Sequence, residues 1–434
     1  MKRSAGVIWV RESHLTQVFP KGYRTEDSRH RGEGAWSGVC SQGRSSSPPS
    51  SNAGGTHMST IQDLVTFTVG DNLDKLITLD LRGQGMVKPI YEFARRNADM
   101  PLTMSAAQHL HKRLAEDRIV IVCTGFLGPH WEGLPKGHGA DTFTFSGKLS
   151  PDRVRGETDG LVATAALARA LDLGYRAKPV VVTEAEIIPI ISAALQTAGF
   201  HVFAKIDDIV DLPHSVAVLD FPKDDSEAKG RARELVASLR PVAAVSIERP
   251  GRNDSGQYHM ANGLSITPVV AKVDHLYTAA REAGALTIGI GDLGNEMGLG
   301  ALQDACRQFT KYGATCRCAC GAGIACTVAS DVTVIGAISD NVAHGVIAAL
   351  AYVRGKPDLI PDARLEERLL EAVASRGAED GCAGLVMPWI DGIRTDYHKR
   401  LVEHMRDIVT YPQFFLELQR SSYEWVAEHS FQQA

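Results

Sequence analysis

Read for apolar and polar positions, the chain divides near residue 57. Up to that point Ser, Gly and Arg dominate, SSSPPSSNAGG (Ser45–Gly55) closes the stretch, and no apolar period runs through it. Residues 1–57 are therefore expected to form a disordered N-terminal extension. Beyond it, short continuous apolar runs recur: IVIVCT (Ile119–Thr124), VVVT (Val180–Thr183), HVFAKI (His201–Ile206), VAVLD (Val216–Asp220), AAVSIE (Ala243–Glu248), LTIGIG (Leu286–Gly291) and VTVIGAI (Val332–Ile338). Amphipathic, helix-length segments separate several of them, among them LVATAALARALDLG (Leu161–Gly174) and EAEIIPIISAALQTAG (Glu184–Gly199). A strand apolar at consecutive positions is covered on both faces, and strands alternating with helices pair in parallel. The pattern predicts one α/β domain over residues 58–434, doubly wound, with a mostly parallel sheet and helices on both faces. From Pro361 on, ARLEERLLEAVASRG and the Tyr397–Met405 segment have helical spacing and no strand is evident. A helical C-terminal segment is expected there, as a cap or as the contact of a homo-oligomer.

Composition narrows the class. A hydrophobic content of 44% over 434 residues is ample for a buried core. No run approaches the ~20 apolar residues of a membrane span, so no membrane partner is expected. Lys and Arg number 46 against 51 Asp and Glu, a net charge of −5, without a basic stripe. That excludes the usual electrostatic footprint for nucleic acid and leaves a small molecule as the partner. Of the 8 cysteines, Cys316, Cys318, Cys320 and Cys326 are bunched in ATCRCACGAGIAC. CxCxC matches no standard zinc spacing, so they are read as small buried apolar residues in a reducing compartment. A cytoplasmic location is expected. The alternative is the mitochondrial matrix, because the first 57 residues are rich in Arg and Ser, although Glu12, Glu26, Asp27 and Glu33 are unusual in a presequence. Met58 is a second candidate start.

In open α/β sheets ligands bind beyond the carboxyl ends of the strands, so chemistry is sought just after each apolar run. IVIVCT is followed by a glycine-rich stretch with His130, Lys136 and His138, and then by VRGETDG, which sets Glu157, Thr158 and Asp159 ahead of a helix. Thr158 or Asp159 there also suits a plain helix cap. AAVSIE runs into ERPGRNDSGQYH, where Glu248, Arg249 and Arg252 either form a solvated ion pair or bind a carboxylate beside a base. LTIGIG runs into DLGNEMGLG, with Asp292, Asn295 and Glu296. This is neither a GxGxxG fingerprint nor a Walker loop, and no nucleotide cofactor is expected. GxGDxxNE is similar to the late metal-binding motif of haloacid dehalogenase-type phosphatases. That family also needs an early DxD strand, and TLDLRGQG (Thr78–Gly85) has Arg82 at the second acid, while VLDFPKDD (Val218–Asp225) has Phe221 and Pro222. GxSxG and HExxH are absent.

Taken in order, VRGETDG, SIERPGRNDSGQY (Ser246–Tyr258), IGIGDLGNEMGLG (Ile288–Gly300) and SDVTVIGAISDNVAHGV (Ser330–Val346) resemble the motifs of the D-glutamate cyclase family, over roughly Leu102 to Gly355. Larger eukaryotic members carry a further domain ahead of this one. The resemblance implies a hydro-lyase that converts D-glutamate to 5-oxo-D-proline and water, or opens that lactam. It also implies a site built from Glu157, Asp159, Glu248, Arg249, Arg252, Tyr258, Asp292, Asn295 and Glu296. Two departures stand out: Leu293 replaces a glycine usual in the family, and Ser339–Ala343 reads SDNVA where a sequence like SNWGG is typical.

Lactam closure needs a held α-carboxylate, a deprotonated amine and a protonated leaving oxygen. The residue types suggest Arg249 and Arg252 for the first, with Tyr258 and Asn295 as further substrate contacts, Glu248 for the second, and Asp292 or Glu296 for the third. Alternatively Glu157, Asp159, Asp292 and Glu296 hold one Mg²⁺ or Mn²⁺. The competing readings are a metal-dependent phosphatase, a related hydrolase or cyclase acting on another small carboxylate, and a non-enzymatic carboxylate-binding module.

Overall fold

The computed structural model describes residues 60–96, 98–131 and 149–429. The extension expected over residues 1–57, Lys136, His138 and the side chain of His130 lie outside what is described. Eleven strands are present among the described residues: β1 (Ile119–Thr124), β2 (Leu127–Trp131), β3 (Leu149–Gly156), β4 (Lys178–Thr183), β5 (His201–Phe203), β6 (Ser215–Asp220), β7 (Ala243–Ile247), β8 (Leu286–Gly291), β9 (Val332–Ile335), β10 (Trp389–Ile390) and β11 (Ile393–Arg394). Seven of them form one sheet in the order β5-β6-β4-β1-β7-β8-β9, with every neighbouring pair parallel. All seven apolar runs of the sequence are therefore strands of a single doubly wound sheet.

Side-chain alternation sorts the sheet's two faces. Val120 and Val122 enter one core, while Ile121 and Cys123 enter the other, because successive residues of a strand point to opposite faces. The first core also receives α1 (Ile61–Ile77), α2 (Val87–Arg96), α3 (Leu102–His111), α4 (Leu161–Tyr175) and α5 (Ile188–Thr197). On the second face lie α6 (Asp225–Leu239) and α7 (Asp274–Glu282), through Leu235, Leu239, Leu276 and Tyr277. A short α8 (Gln303–Phe309), α9 (Ser339–Arg354), α10 (Ala363–Ser375), α11 (Thr395–Leu418) and α12 (Arg420–His429) complete the chain. Helix α9 is buried from Ser339 through Ala351, its polar Ser339, Asp340, Asn341 and His344 included, and α4 is buried nearly throughout.

Two features depart from the sequence reading. The glycine-rich stretch after β1 begins an antiparallel hairpin, β2 with β3, which pairs Leu127 with Gly156 and returns Glu157 to the carboxyl end of the central strand β1, where its amide donates to the Phe126 carbonyl at 2.9 Å. The C-terminal part is not purely helical: β10 and β11 form a two-residue-per-strand hairpin around Asp391 and Gly392. Isoleucine and tryptophan on so short a ladder carry no period that a sequence can reveal.

Candidate active site

β4 flanks β1 on one side and β7 on the other, so the chain reverses direction across the sheet at the β1–β7 boundary. Such a switch point opens a crevice at the strands' carboxyl ends. A cavity of about 460 Å³ lies there, lined by Phe126 after β1, Glu157 after β3, Glu248 after β7, and Asp292, Leu293 and Asn295 after β8. Arg82, Asp391 and Lys311 also line it.

The close approach of the β7 loop to the start of α4 depends on Gly160. Its φ is 78°, and a Cβ there would sit 2.6 Å from the Cβ of Glu248. Gly160 is the residue ahead of α4, and no side chain caps that helix. Neither Thr158 nor Asp159 is thus the cap that the sequence allowed. The Thr158 hydroxyl donates to the Trp389 carbonyl at 2.6 Å, and Asp159 Oδ1 accepts from the Gly160 and Asp340 amides at 2.8 and 2.7 Å.

The acids are buried and crowded. Glu248 accepts a short hydrogen bond from the Ser339 hydroxyl. Burial first, and then the charges of Asp159, Glu296 and Asp292, push its carboxyl well above the usual range. Burial, Asp391 and Asp340 do the same to Asp159, and burial, Asp391 and Glu296 to Asp292. Glu157 is pushed up to about 8 by burial and then by Asp391, Asp380 and Glu379. The nearest compensating cation is Arg82, whose guanidinium reaches Asp391 at 2.6 Å, Asp292 at 3.2 Å and the Ala337 carbonyl at 2.6 Å.

Glu296 lies under the loop. Its Oε1 accepts from the amides of Asp292 and Leu293 at 2.7 and 2.9 Å, and its Oε2 from that of Gly294 at 2.6 Å. Three backbone donors commit this carboxylate to shaping the IGIGDLGNE turn. Asn295 lines the cavity; its amide donates to the His259 carbonyl at 3.0 Å, and its buried Oδ1 has no protein partner.

The structure does not bring Arg249, Arg252 or Tyr258 to the cavity. Arg249 is fully buried and clasps both oxygens of Glu184, and it also donates to the carbonyls of Gly125 and Ala271 at 3.0 and 2.8 Å. It fastens the ends of β1, β4 and β7 together. Arg252 pairs with Asp274 at 2.8 Å, and the Tyr258 hydroxyl donates to the same Asp274 at 2.6 Å. Both terminal nitrogens of the buried Arg249 guanidinium are engaged by Glu184 and backbone carbonyls, and a group so committed is poorly placed to bind a further carboxylate. Arg249 and Arg252, expected to bind a carboxylate, thus lie among other partners, Glu184 and Asp274, and neither lines the cavity. The cavity's arginine, Arg82, lies ahead of the resembling motifs, and Asp391 lies beyond them, so neither could be found from those motifs. The one signal for Arg82 was its place in TLDLRGQG, where it broke the phosphatase pattern.

Two carboxylate groups have the spacing of a cation site. Asp159, Asp292 and Asp391 each bring an oxygen within 4.8 Å of the others, and so do Glu248, Asp292 and Glu296. Hard oxygen donors of this kind suit Mg²⁺ or Mn²⁺. Of the metal set expected from the sequence, Asp159, Asp292 and Glu296 fall in these groups, Asp391 joins them, and Glu157 stands outside both.

Strand-end loops, a switch-point cavity and a wall of buried carboxylates with raised pKa values define the class: a doubly wound α/β fold with a polar site at the carboxyl ends of its strands. Within it, the chain belongs to the D-glutamate cyclase-like, C-terminal family, which matches residues 73–406. It is also similar to the human protein "D-glutamate cyclase, mitochondrial", with 27% identity over 190 residues, covering 38% of this chain and 30% of the human protein. Membership places the chain in a family of cyclase-type enzymes. No helix among the described residues is long and apolar enough to cross a membrane.

Proposed function

We propose that this chain interconverts D-glutamate and 5-oxo-D-proline, with loss or gain of water. The observation that carries the reading is the pair Glu157 and Glu248, facing one cavity with raised carboxyl pKa values. A carboxylate near pH 8 is a competent base for an ammonium group, and a carboxylic acid that keeps its proton at neutral pH is a competent donor to a leaving oxygen. Glu157 then takes a proton from the substrate ammonium. The freed amine lone pair attacks the γ-carbon, whose carboxylate has taken a proton from Glu248, and the C–N bond forms; the C–O bond then breaks as Glu157 passes its proton to the departing hydroxyl and Glu248 recovers one from the nitrogen. The nitrogen loses two protons and the oxygen gains two, so no co-reactant is required.

Arg82 and Lys311 are the cations on the cavity wall and offset the charge of the substrate's carboxylates. The free acceptor Asn295 Oδ1 is suited to the ammonium N–H. Asp159, Asp292 and Asp391 would hold a divalent cation, which when bound supplies charge stabilisation to a polarised carboxyl.

The test is chiral chromatography with mass spectrometry of the protein incubated with D-glutamate, L-glutamate and each 5-oxoproline, with Mn²⁺ or Mg²⁺ and then with EDTA. Water loss from D-glutamate, weakened by EDTA and restored by Mn²⁺ or Mg²⁺, is expected. Absence of interconversion under every condition sinks the reading, and full activity in EDTA sinks its metal component. The phosphatase alternative requires turnover of p-nitrophenyl phosphate, and no aspartate of a DxD pair follows β1, where Gly125 and Phe126 stand. A binding module would show melting shifts with D-glutamate and no product.

A further inference from the structure

Away from the carboxylates, the cysteine-rich segment folds around a point. The Sγ atoms of Cys316, Cys318 and Cys320 lie 3.2 to 3.4 Å apart. From another loop, His259 Nε2 approaches Cys318 Sγ at 3.2 Å and Cys320 Sγ at 3.6 Å. A disulfide would bring two sulfurs to about 2.0 Å, and none of these pairs is bonded. Tetrahedral zinc, with Zn–S near 2.3 Å and Zn–N near 2.0–2.1 Å, holds its ligands roughly 3.5–3.8 Å from one another. Five of the six donor–donor separations therefore lie within roughly half an ångström of that shell, and the sixth, His259 to Cys316, is below 4.8 Å.

The sequence spacing concealed this because the fourth ligand is a histidine 57 residues upstream of Cys316, and because the fourth cysteine of the cluster is not part of it. Cys326 is fully buried in the second core, as the sequence reading expected. The other three converge with His259. The surroundings fit a ligand set as well: the buried Asn253 amide donates to Cys320 Sγ at 3.5 Å and to the Gly323 carbonyl at 2.7 Å, the outer-shell hydrogen bonding that orients metal thiolates.

We propose that His259, Cys316, Cys318 and Cys320 bind one zinc ion as a closed Cys₃His structural site. Three thiolates and an imidazole select a soft or borderline ion and leave no open position, so the site is distinct in kind from the oxygen-lined cavity. Its place in the fold gives it a task. His259 is followed by Met260, Ala261 and Asn262, which line the cavity, and Lys311 and Tyr312 line it from the segment that leads to Cys316. The His259 carbonyl receives the Asn295 amide, and the Arg317 amide donates to the Gly263 carbonyl at 2.9 Å. Zinc would cross-link two loops that share little regular structure and fix one wall of the cavity.

The full chain, purified without chelator, should carry about one zinc per molecule by inductively coupled plasma mass spectrometry. In Cys318→Ser/Cys320→Ser that content should fall below about a tenth, while Cys326→Ala keeps it. Because the double variant can fail for lack of folding, the metal-stripped wild-type chain is also titrated with Co²⁺. Thiolate-to-cobalt charge transfer and the d–d bands of tetrahedral cobalt, saturating at about one equivalent and erased by Zn²⁺, are expected. A zinc-free wild-type chain that gives no such bands overturns the proposal, as does a disulfide among these cysteines in the native protein.

Discussion

Glu248 has a φ of 42°, a left-handed conformation that costs a residue with a Cβ about 1 kcal/mol or more. Its carboxyl is also buried among other acids. Two unfavourable features on one residue, facing a cavity, are what a reacting group requires and a structural one does not. Leu293 lines the same cavity, where the family usually has glycine, and its amide is held by Glu296. Removing the side chain widens the cavity without touching the loop's hydrogen bonds. Leu293→Gly should therefore raise kcat/KM for D-glutamate several-fold, within the roughly 1–3 kcal/mol that pocket methylenes command, and lower stability by only about 1 kcal/mol. Steady-state kinetics beside urea unfolding checks this, and an unchanged kcat/KM would mean that the side chain does not limit the pocket.

At the scale of elements, the site depends on how closely the β7 loop meets the start of α4. Gly160→Ala would drive a Cβ to 2.6 Å from Glu248 Cβ and 3.0 Å from the Ile247 carbonyl, displacing Glu248 and, through the Gly160 amide, Asp159. A loss of at least tenfold in turnover and roughly 1–3 kcal/mol in stability is expected. Gly284→Ala makes the control: its φ is 88° and nothing lies within 4 Å, so it should cost stability and leave turnover intact. Equal turnover losses in the two variants would show that strain alone matters. Elements were also what the sequence disclosed best. Seven apolar runs announced seven strands, six of them largely free of polar positions, while the edge strand β5 is exposed at His201 and occupies only half of HVFAKI. The hairpins β2–β3 and β10–β11 stayed hidden, because glycine-rich or two-residue ladders carry no period. The motifs carry Glu157, Glu248, Asp292 and Asn295, all of which line the cavity, yet they could not reveal that Arg249 is aimed at Glu184. That distinction depends on which strand ends abut, and so does the arrival of Arg82 and Asp391 from segments far outside the motifs.

At the scale of the whole molecule, a second ionisable cluster ties the C-terminal helices to the sheet. His344 on α9 faces Glu366 of α10 at 3.0 Å and Asp340 of its own helix at 3.5 Å. His398 of α11 joins α9 through Asn341 at 3.1 Å, and burial pulls its imidazole down to about 4. Burial also pulls His344 down, but Glu366 and Asp340 outweigh it and hold the imidazole at about 9. A folded-state value above the ordinary ~6.5 of histidine means that its contribution to stability is complete below pH ~6.5 and is lost as pH rises through 9. Asp340, pushed up to about 7 by burial and Glu366, and Glu157, near 8, lose stability in the same direction but at lower pH, from the ordinary carboxyl range up to their folded values, so the wild-type chain should weaken from mildly acidic pH upward, with His344 alone carrying the loss between about 8 and 9. Glu366→Gln removes the main partner of the charged imidazole and should cost roughly 3–5 kcal/mol at pH 6. The penalty should shrink toward pH 10, where the wild-type imidazole has also lost its proton. Urea unfolding of both proteins from pH 6 to 10 measures the difference directly. A penalty constant across that range would mean that Glu366 supports α10 by packing alone and that the cluster carries no charge.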